Sequence, residues 1–96
     1  SVKNLRGFFE IISLEVILMI GKTIKYLRVK KGVKQDDLAR ELGIARTTLS
    51  GYELETRQTS FETMEKIADK CGYDIYFVNK NDSSKFKMSD LERKDI

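Results

Sequence analysis

Glycines divide the middle of this chain into short segments whose apolar residues recur at helical spacing. Gly32, Gly43 and Gly72 each follow such a segment. Glycine suits the left-handed conformation at which many helices end, so these three positions predict helix termini. The pattern therefore predicts an all-α core built from short helices between residues 21 and 72.

Four helices are predicted, with apolar residues three or four positions apart on the inner face of each. The first runs from Gly21 to Lys31, the second from Gln35 to Leu42, the third from about Arg46 to Leu54, and the fourth from an N-cap at Ser60 to Gly72. The predicted core consists of Ile24, Leu27, Leu38, Ala39, Leu42, Ile44, Leu49, Tyr52, Phe61, Met64, Ile67, Ala68 and Cys71.

Composition excludes several classes of protein. The chain has 96 residues, enough for one small domain, and it contains no histidine and one cysteine. These counts exclude a Ser-His-Asp triad, a Cys/His metal site and a disulfide framework. We therefore expect no enzymatic activity, no metal and no cofactor, and we expect Cys71 to be a buried thiol in a reducing cytoplasm.

The basic residues are concentrated in one part of the chain. Residues 19–60 carry nine Lys/Arg and five Asp/Glu, whereas residues 61–96 carry seven and eight, and residues 1–18 carry two of each. A local excess of positive charge is typical of a nucleic-acid-binding module, and it also occurs on many solvated helices.

Residues 1–18 form an N-terminal extension that the sequence leaves open. The apolar run from Phe8 to Ile20 is too short to span a bilayer and is interrupted by Glu10 and Glu15, so we expect no membrane association. One interpretation is an additional strand or helix. The other is a translated leader before a natural start at Met19, since codons for residues 14–16 can contain a purine-rich ribosome-binding sequence.

The segment after Gly72 changes character. Tyr73–Val78 is rich in aromatic and β-branched residues and predicts a strand. A single strand leaves its backbone groups unpaired, so we expect it to pair with the same strand of a second subunit or with the segment 8–18. Residues 79–96 are predicted to be a polar, solvated tail in which Ser89 and Glu92 cap one short helix.

Three phrases of the sequence carry a family resemblance. They are GVKQDDLA at 32–39, LGIARTTLSGYE at 42–53 and SFETM at 60–64. With these phrases the chain resembles the Cro/repressor-like (Xre) helix-turn-helix family over about residues 20–72. The resemblance implies a mainly α, lambda-repressor-like domain of four to five helices over residues 19–72, with the C-terminal strand 73–78 used for dimerisation.

The resemblance also implies a set of DNA contacts. The third helix would be the recognition helix, inserted in the major groove of double-stranded DNA with its N-terminal residues facing base edges. Arg46 is suited to the two acceptors of a guanine, and a threonine to a base or phosphate. By this resemblance the DNA-binding residues of the third helix are Arg46, Thr47, Thr48, Ser50 and Gly51, and the phosphate-contacting residues are Lys34, Gln35 and Arg57. Gly51 either permits close approach of the backbone to DNA or weakens base recognition.

Some positions matching the family are structural, and others depart from its pattern. Arg28 and Glu53 match positions that form an ion pair between the first and third helices. Lys34 and Ala45 replace the usual hydroxyl caps, Leu54-Glu55 replaces a common Asn-Gly, and Thr59 replaces a frequent proline. We expect looser caps and a Glu55 carboxylate near the DNA backbone.

Two functions are predicted. The first is a sequence-specific transcriptional regulator, a repressor that binds a palindromic operator as a homodimer. Its dimer interface would be Tyr73, Ile75, Tyr76, Phe77 and Val78. The alternative is an antitoxin that binds DNA and uses the strand and tail to neutralise a toxin protein.

Overall fold

A computed structural model of the chain describes residues 19–93, which form four helices followed by a small hairpin. Helix α1 covers residues 19–31 of the described part. It is followed by α2 (Gln35–Leu42), α3 (Arg46–Leu54) and α4 (Phe61–Lys70), the strands β1 (Phe77–Val78) and β2 (Lys85–Phe86), and a 3₁₀ helix (Met88–Arg93). None of the helices in the described part is long and apolar enough to cross a membrane.

The predicted helices are confirmed at the positions where glycines were expected to end them. Gly32 has a φ of 79° and Gly43 a φ of 70°. No atom lies within 4 Å of a Cβ built on either residue, so the left-handed backbone and not a lack of space accounts for glycine there. At Gly43 this conformation lets the backbone N–H donate to carbonyls of the preceding turn and opens the short turn that leads into α3.

The core lies between the four helices. Ile24, Leu38, Leu49 and Ile67 each expose 1% or less of their surface, and they come from α1, α2, α3 and α4 respectively. Leu27, Ala39, Ala68 and Cys71 complete the buried cluster, and Val33, Leu42, Ile44, Tyr52, Met64 and Ile75 pack against it. This packing holds α2 and α3 in a fixed mutual orientation.

The helix N-termini differ in their capping. Ser60 caps α4, because its hydroxyl oxygen accepts a hydrogen bond of 3.1 Å from the Thr63 N–H. Lys34 and Ala45, which precede α2 and α3, make no side-chain capping bond. The first N–H groups of α2 and α3 are thus without side-chain caps.

The C-terminal strand pairs within its own chain, which was not predicted, and its pairing with a second subunit stays a prediction. The strand is confined to Phe77–Val78 and pairs antiparallel with Lys85–Phe86 of the same chain, with Phe77 opposite Phe86. Tyr73 and Ile75 lie outside the strand. The other predicted partner, the segment 8–18, lies outside the described residues.

The segment from residue 79 contains a turn, a strand and a short helix, and most of its described residues are exposed. Asn79 accepts a hydrogen bond of 2.8 Å from the Asn81 N–H, and Asp82 accepts bonds from the N–H and hydroxyl of Ser84. These bonds build a turn that brings β2 back onto β1. The Ser84 hydroxyl bond also lowers the pKa of Asp82.

The short helix in this segment is present but capped differently from the expectation. It is a 3₁₀ helix, and the Asp90 carboxylate accepts a bond of 2.9 Å from the Lys87 N–H. The chain therefore continues as folded structure through Glu92.

Candidate nucleic-acid interface

Helix α3 presents one face to the core and another to solvent. Leu49 and Glu53 are buried, whereas Arg46 and Thr47 in the first turn are exposed. Thr48 and Ser50 are half-buried. The side chains available to another molecule are therefore concentrated at the N-terminal end of α3, beside the start of α2.

A buried ion pair fixes α3 against α1. The Nε and Nη2 atoms of Arg28 donate to the two carboxylate oxygens of Glu53 at 2.7 and 3.0 Å. The two side chains expose 13% and 3% of their surface. The hydrogen bond to Glu53 is the main cause that raises the pKa of Arg28. Arg28 also donates to the Val33 carbonyl at 3.0 Å, so the pair ties together α1, its following loop and α3.

Gln35 joins this buried network. Its side-chain amide donates to Glu53 Oε1 at 3.1 Å, and the residue is half-buried. The amide thus anchors the start of α2 to α3, a role that the sequence analysis did not identify. The side-chain amide of Gln35 is thus directed inward, and the N-terminal turn of α2 faces outward.

The N-terminal ends of α2 and α3 border a polar groove of about 380 Å³, lined by Arg28, Lys34, Gln35, Asp36 and Arg46. Within it the Nε atom of Arg46 lies 3.7 Å from Asp36 Oδ1. Both side chains are about two-thirds exposed, at 66% and 62%. The groove combines three cationic side chains with one carboxylate, and the sequence analysis did not predict that Arg46 and Asp36 meet.

Gly51 is buried, although the sequence analysis placed it among the DNA contacts. A Cβ built on Gly51 would lie 3.1 Å from Arg57 Cγ and 3.2 Å from Thr56 Oγ1. Its carbonyl accepts hydrogen bonds from the N–H groups of Thr56 and Arg57. The glycine thus lets the chain after α3 fold back over it, and the exposed Arg57 covers this part of the face.

The Glu55 carboxylate lies against α1. Glu55 ends α3 with a φ of 62°, a conformation unfavourable for a residue with a Cβ. A Cβ built on Gly21 would lie 2.5 Å from Glu55 Oε1, which places the carboxylate against α1. That oxygen is buried and has no hydrogen-bond partner among residues 19–93. The expected approach of Glu55 to a DNA backbone stays a prediction, which the contact of its carboxylate with α1 does not favour.

A second surface, the hairpin face, is formed by Phe61, Phe77, Val78 and Phe86. The ring of Phe77 stacks on Phe61 and on Phe86, with ring centroids 5.7 and 5.3 Å apart. All four residues remain exposed, by 38% to 59%. Nearby, the Lys85 ammonium lies 4.6 Å from the centroid of the Tyr76 ring. The three stacked rings and the neighbouring Val78 leave apolar surface exposed, which is suited to association.

Comparison with known proteins identifies the fold of the groove-bearing region. A helix-turn-helix family model matches residues 24–78. The chain is 31% identical over 80 residues to the HTH-type transcriptional regulator ImmR of Bacillus subtilis, covering 82% of this chain and 63% of that protein. It is 33% identical over 57 residues to the cryptic phage CTXphi transcriptional repressor RstR of Vibrio cholerae, covering 59% of this chain and 51% of that protein.

A third relative is named as an antitoxin and not as a transcriptional regulator. The chain is 44% identical over 61 residues to the antitoxin PezA of Streptococcus pneumoniae, which covers 64% of this chain and 37% of that protein. The chain thus spans less than two thirds of the length of each of these three relatives. No solved structure matches the chain significantly.

Proposed function

We propose, because the chain belongs to the helix-turn-helix family, that it represses transcription by binding an operator in double-stranded DNA. The observation that carries the proposal is the exposure of Arg46 and Thr47 at the start of a helix whose opposite face is locked into the core. A rigid helix with free polar side chains at one end is suited to enter the major groove.

Base recognition is assigned to the N-terminal half of α3. Arg46 pairs with the two acceptors of a guanine, and Thr47 contacts a base edge or a thymine methyl group. Thr48 and Ser50, which are half-buried, contact the DNA backbone or bases at the edge of the operator. Gly51 lies beneath Arg57 and is assigned no contact.

Phosphate contacts are assigned to the rim of the groove. Lys34 and Arg57 are exposed cations, and the N-terminal turn of α2 offers N–H groups without a side-chain cap. Such groups favour a phosphate because they carry the positive end of the helix dipole. Gln35 contributes through its backbone N–H, since its side-chain amide is bonded to Glu53.

The hairpin face supports a homodimer. A hairpin with two residue pairs is too small to be stable by itself, and its apolar residues are exposed. Association of two copies through Phe77, Val78 and the neighbouring rings would cover the face and present two recognition helices to a palindromic site, about 34 Å apart. The exposed residues Tyr73 and Tyr76 are assigned to the margin of this interface, and Ile75 packs against the core of its own subunit.

The DNA function is tested by selecting duplexes from a randomised pool and measuring affinity for the selected sequence and for a scrambled sequence of equal length. We expect tighter binding to the selected duplex and a loss of about 10³-fold or more between 50 and 200 mM salt, because phosphate contacts release counterions. Arg46→Ala should weaken the preference without abolishing it, because the other residues of α3 still contact DNA, whereas Lys70→Ala on α4 should leave it unchanged. Affinity that depends on neither sequence nor salt would contradict the proposal.

Dimer formation is tested by analytical ultracentrifugation. Phe77→Lys should shift the chain towards monomer, whereas Tyr26→Lys, which changes a more exposed aromatic residue on α1, should leave the dimer intact. A monomeric wild-type chain at micromolar concentration would refute this part of the proposal.

A second candidate function is neutralisation of a toxin protein, which the similarity to the antitoxin PezA favours. In that case the hairpin face would bind the toxin. The test is co-expression with the product of the adjacent reading frame. A stable complex that relieves growth inhibition and is lost in Phe77→Lys would support this function, and an adjacent product with neither property would exclude it for that pair.

A further inference from the structure

The contact between Asp36 and Arg46 joins the starts of two helices that the family fold brings together. Asp36 lies in the first turn of α2, and Arg46 is the first residue of α3. The carboxylate oxygen lies 3.7 Å from Nε, and both side chains are about two-thirds exposed. An exposed pair of this kind contributes little to stability, because water screens it and both side chains lose freedom.

The geometry of the contact favours an effect on recognition instead. A guanidinium has one N–H at Nε and four more on Nη1 and Nη2. A carboxylate placed at the Nε edge leaves the terminal Nη1 and Nη2 pair free. That pair is the fork that can bond N7 and O6 of a guanine simultaneously.

We propose that Asp36 is a positioning residue that holds the Arg46 guanidinium so that its terminal fork faces a guanine. This inference rests on the proposed DNA-binding function. Asp36 touches no base itself and acts through Arg46.

The Asp36 carboxylate also lowers the affinity for DNA in general, and this supports a role in discriminating between DNA sequences. Asp36 lines the same groove as Lys34 and Arg28, where a phosphate backbone would approach. A negative charge there opposes every DNA sequence equally. A residue that weakens general binding while aligning a base-reading side chain raises the ratio of specific to non-specific affinity.

Asp37 provides a matched control. It occupies the same turn of α2 and carries the same charge, but it lies 3.5 Å from Arg40 of its own helix. Asp36→Asn and Asp37→Asn therefore remove the same charge from the same helix end. Only the first variant changes a contact to α3.

The experiment measures the affinity of each variant for the duplex selected by the wild-type chain and for a scrambled duplex. We expect Asp36→Asn to lower the ratio of the two affinities about 3- to 10-fold, a size typical of coupling between neighbouring residues. Asp37→Asn should change both affinities alike and keep the ratio. In an Arg46→Ala background, Asp36→Asn should have no further effect on the ratio.

An atomic probe separates positioning from a change in stability. Each guanine of the selected duplex is replaced in turn by 7-deazaguanine, which lacks the N7 acceptor. At one guanine we expect this replacement to lower the affinity of the wild-type chain and of Asp37→Asn. The loss of affinity should be smaller in Asp36→Asn. Thermal unfolding of all variants verifies that they are folded at the temperature of the binding assay.

The inference is overturned if Asp36→Asn preserves the affinity ratio, if Asp37→Asn lowers it equally, or if the effect persists without Arg46. Each of these results leaves the DNA-binding function standing, provided that the wild-type chain prefers its selected duplex. A wild-type chain with no sequence preference would instead overturn the DNA function and the role of Asp36 together.

Discussion

Leu49 in α3 and Phe77 in β1 are both large apolar residues, but Leu49 is fully buried and Phe77 is 45% exposed. The same contrast holds for their surroundings. Leu49 is surrounded by core residues from the other three helices, whereas Phe77 stacks on the rings of Phe61 and Phe86 near the surface. Apolar burial is the dominant favourable term in folding, so the two regions contribute very differently to the stability of one chain.

The difference shows that the helices bury their apolar faces against one another, whereas the hairpin leaves much of its apolar surface exposed. The core that fixes α2 relative to α3 is formed by the helices and not by the hairpin. The hairpin face, which is left partly exposed, is then free to associate with a second copy or with another protein.

The largest expected effect is on the core. Leu49→Ala should lower the free energy of unfolding by about 3 to 5 kcal/mol, because it removes a fully buried side chain and leaves a cavity. Phe77→Ala should lower it by less than about 1 kcal/mol in the monomer, because the side chain is partly solvated already. Urea denaturation at low protein concentration measures both. Equal losses would show that the hairpin is part of the core.

A smaller but still large effect is expected at the buried ion pair. Glu53→Ala should lower the free energy of unfolding by about 3 kcal/mol, because it leaves the Arg28 guanidinium largely buried without its partner. Replacing both residues, with Arg28→Met and Glu53→Leu, should restore most of the loss. A double variant as unstable as Glu53→Ala would mean that the pair itself, and not the orphaned charge, provides the stability.

A gain in stability is expected from a substitution at the C-terminal end of α3. Glu55→Gly should raise the free energy of unfolding by about 1 kcal/mol relative to Glu55→Ala, since both remove the unpartnered carboxylate and only glycine relieves the positive φ. Thermal denaturation of the two variants side by side measures the difference. If Glu55→Ala is the more stable, the backbone at residue 55 is not strained.

The smallest effect is expected from the buried thiol. Burial raises the pKa of Cys71 above its ordinary value of 9.0, so folding favours the protonated thiol. Stability from this source is complete below that value and is lost as pH rises through the folded pKa. Cys71→Ala should therefore lose less stability than the wild-type chain between pH 9 and 11.

A labelling experiment compares the two regions directly. Cys71 in the folded chain should react slowly with a thiol reagent at pH 8, whereas Ser84→Cys in a Cys71→Ala background, on the exposed hairpin turn, should react at the rate of a free thiol. Equal rates would show that the core around Cys71 opens as readily as the hairpin.

The helical part of the fold could be predicted because its signals are local. Gly32 and Gly43 end helices through their own backbone conformations, and the apolar spacing around Leu38 and Leu49 identifies the buried faces. The family register placed Arg28 opposite Glu53, and the structure contains that ion pair.

The hairpin and parts of the site could not be predicted for the opposite reason. Phe77 shows the residue type of a strand, but nothing in its neighbours specifies Phe86 as the partner. The contact between Asp36 and Arg46 depends on how α2 and α3 cross. Both are contacts between distant residues, and a one-dimensional pattern carries little information about them.

By itself, the sequence determined the four helices, the glycines that end α1 and α2, the family and the residues at the start of α3. These properties depend on the chemistry of adjacent residues and on a register that can be read along the chain. Only the tertiary structure decided that the tail returns as β2, that Arg57 covers Gly51, that Glu55 turns towards α1 and that Asp36 meets Arg46. Each of these depends on which surfaces remain unpaired after the helices have packed, a result of three-dimensional complementarity.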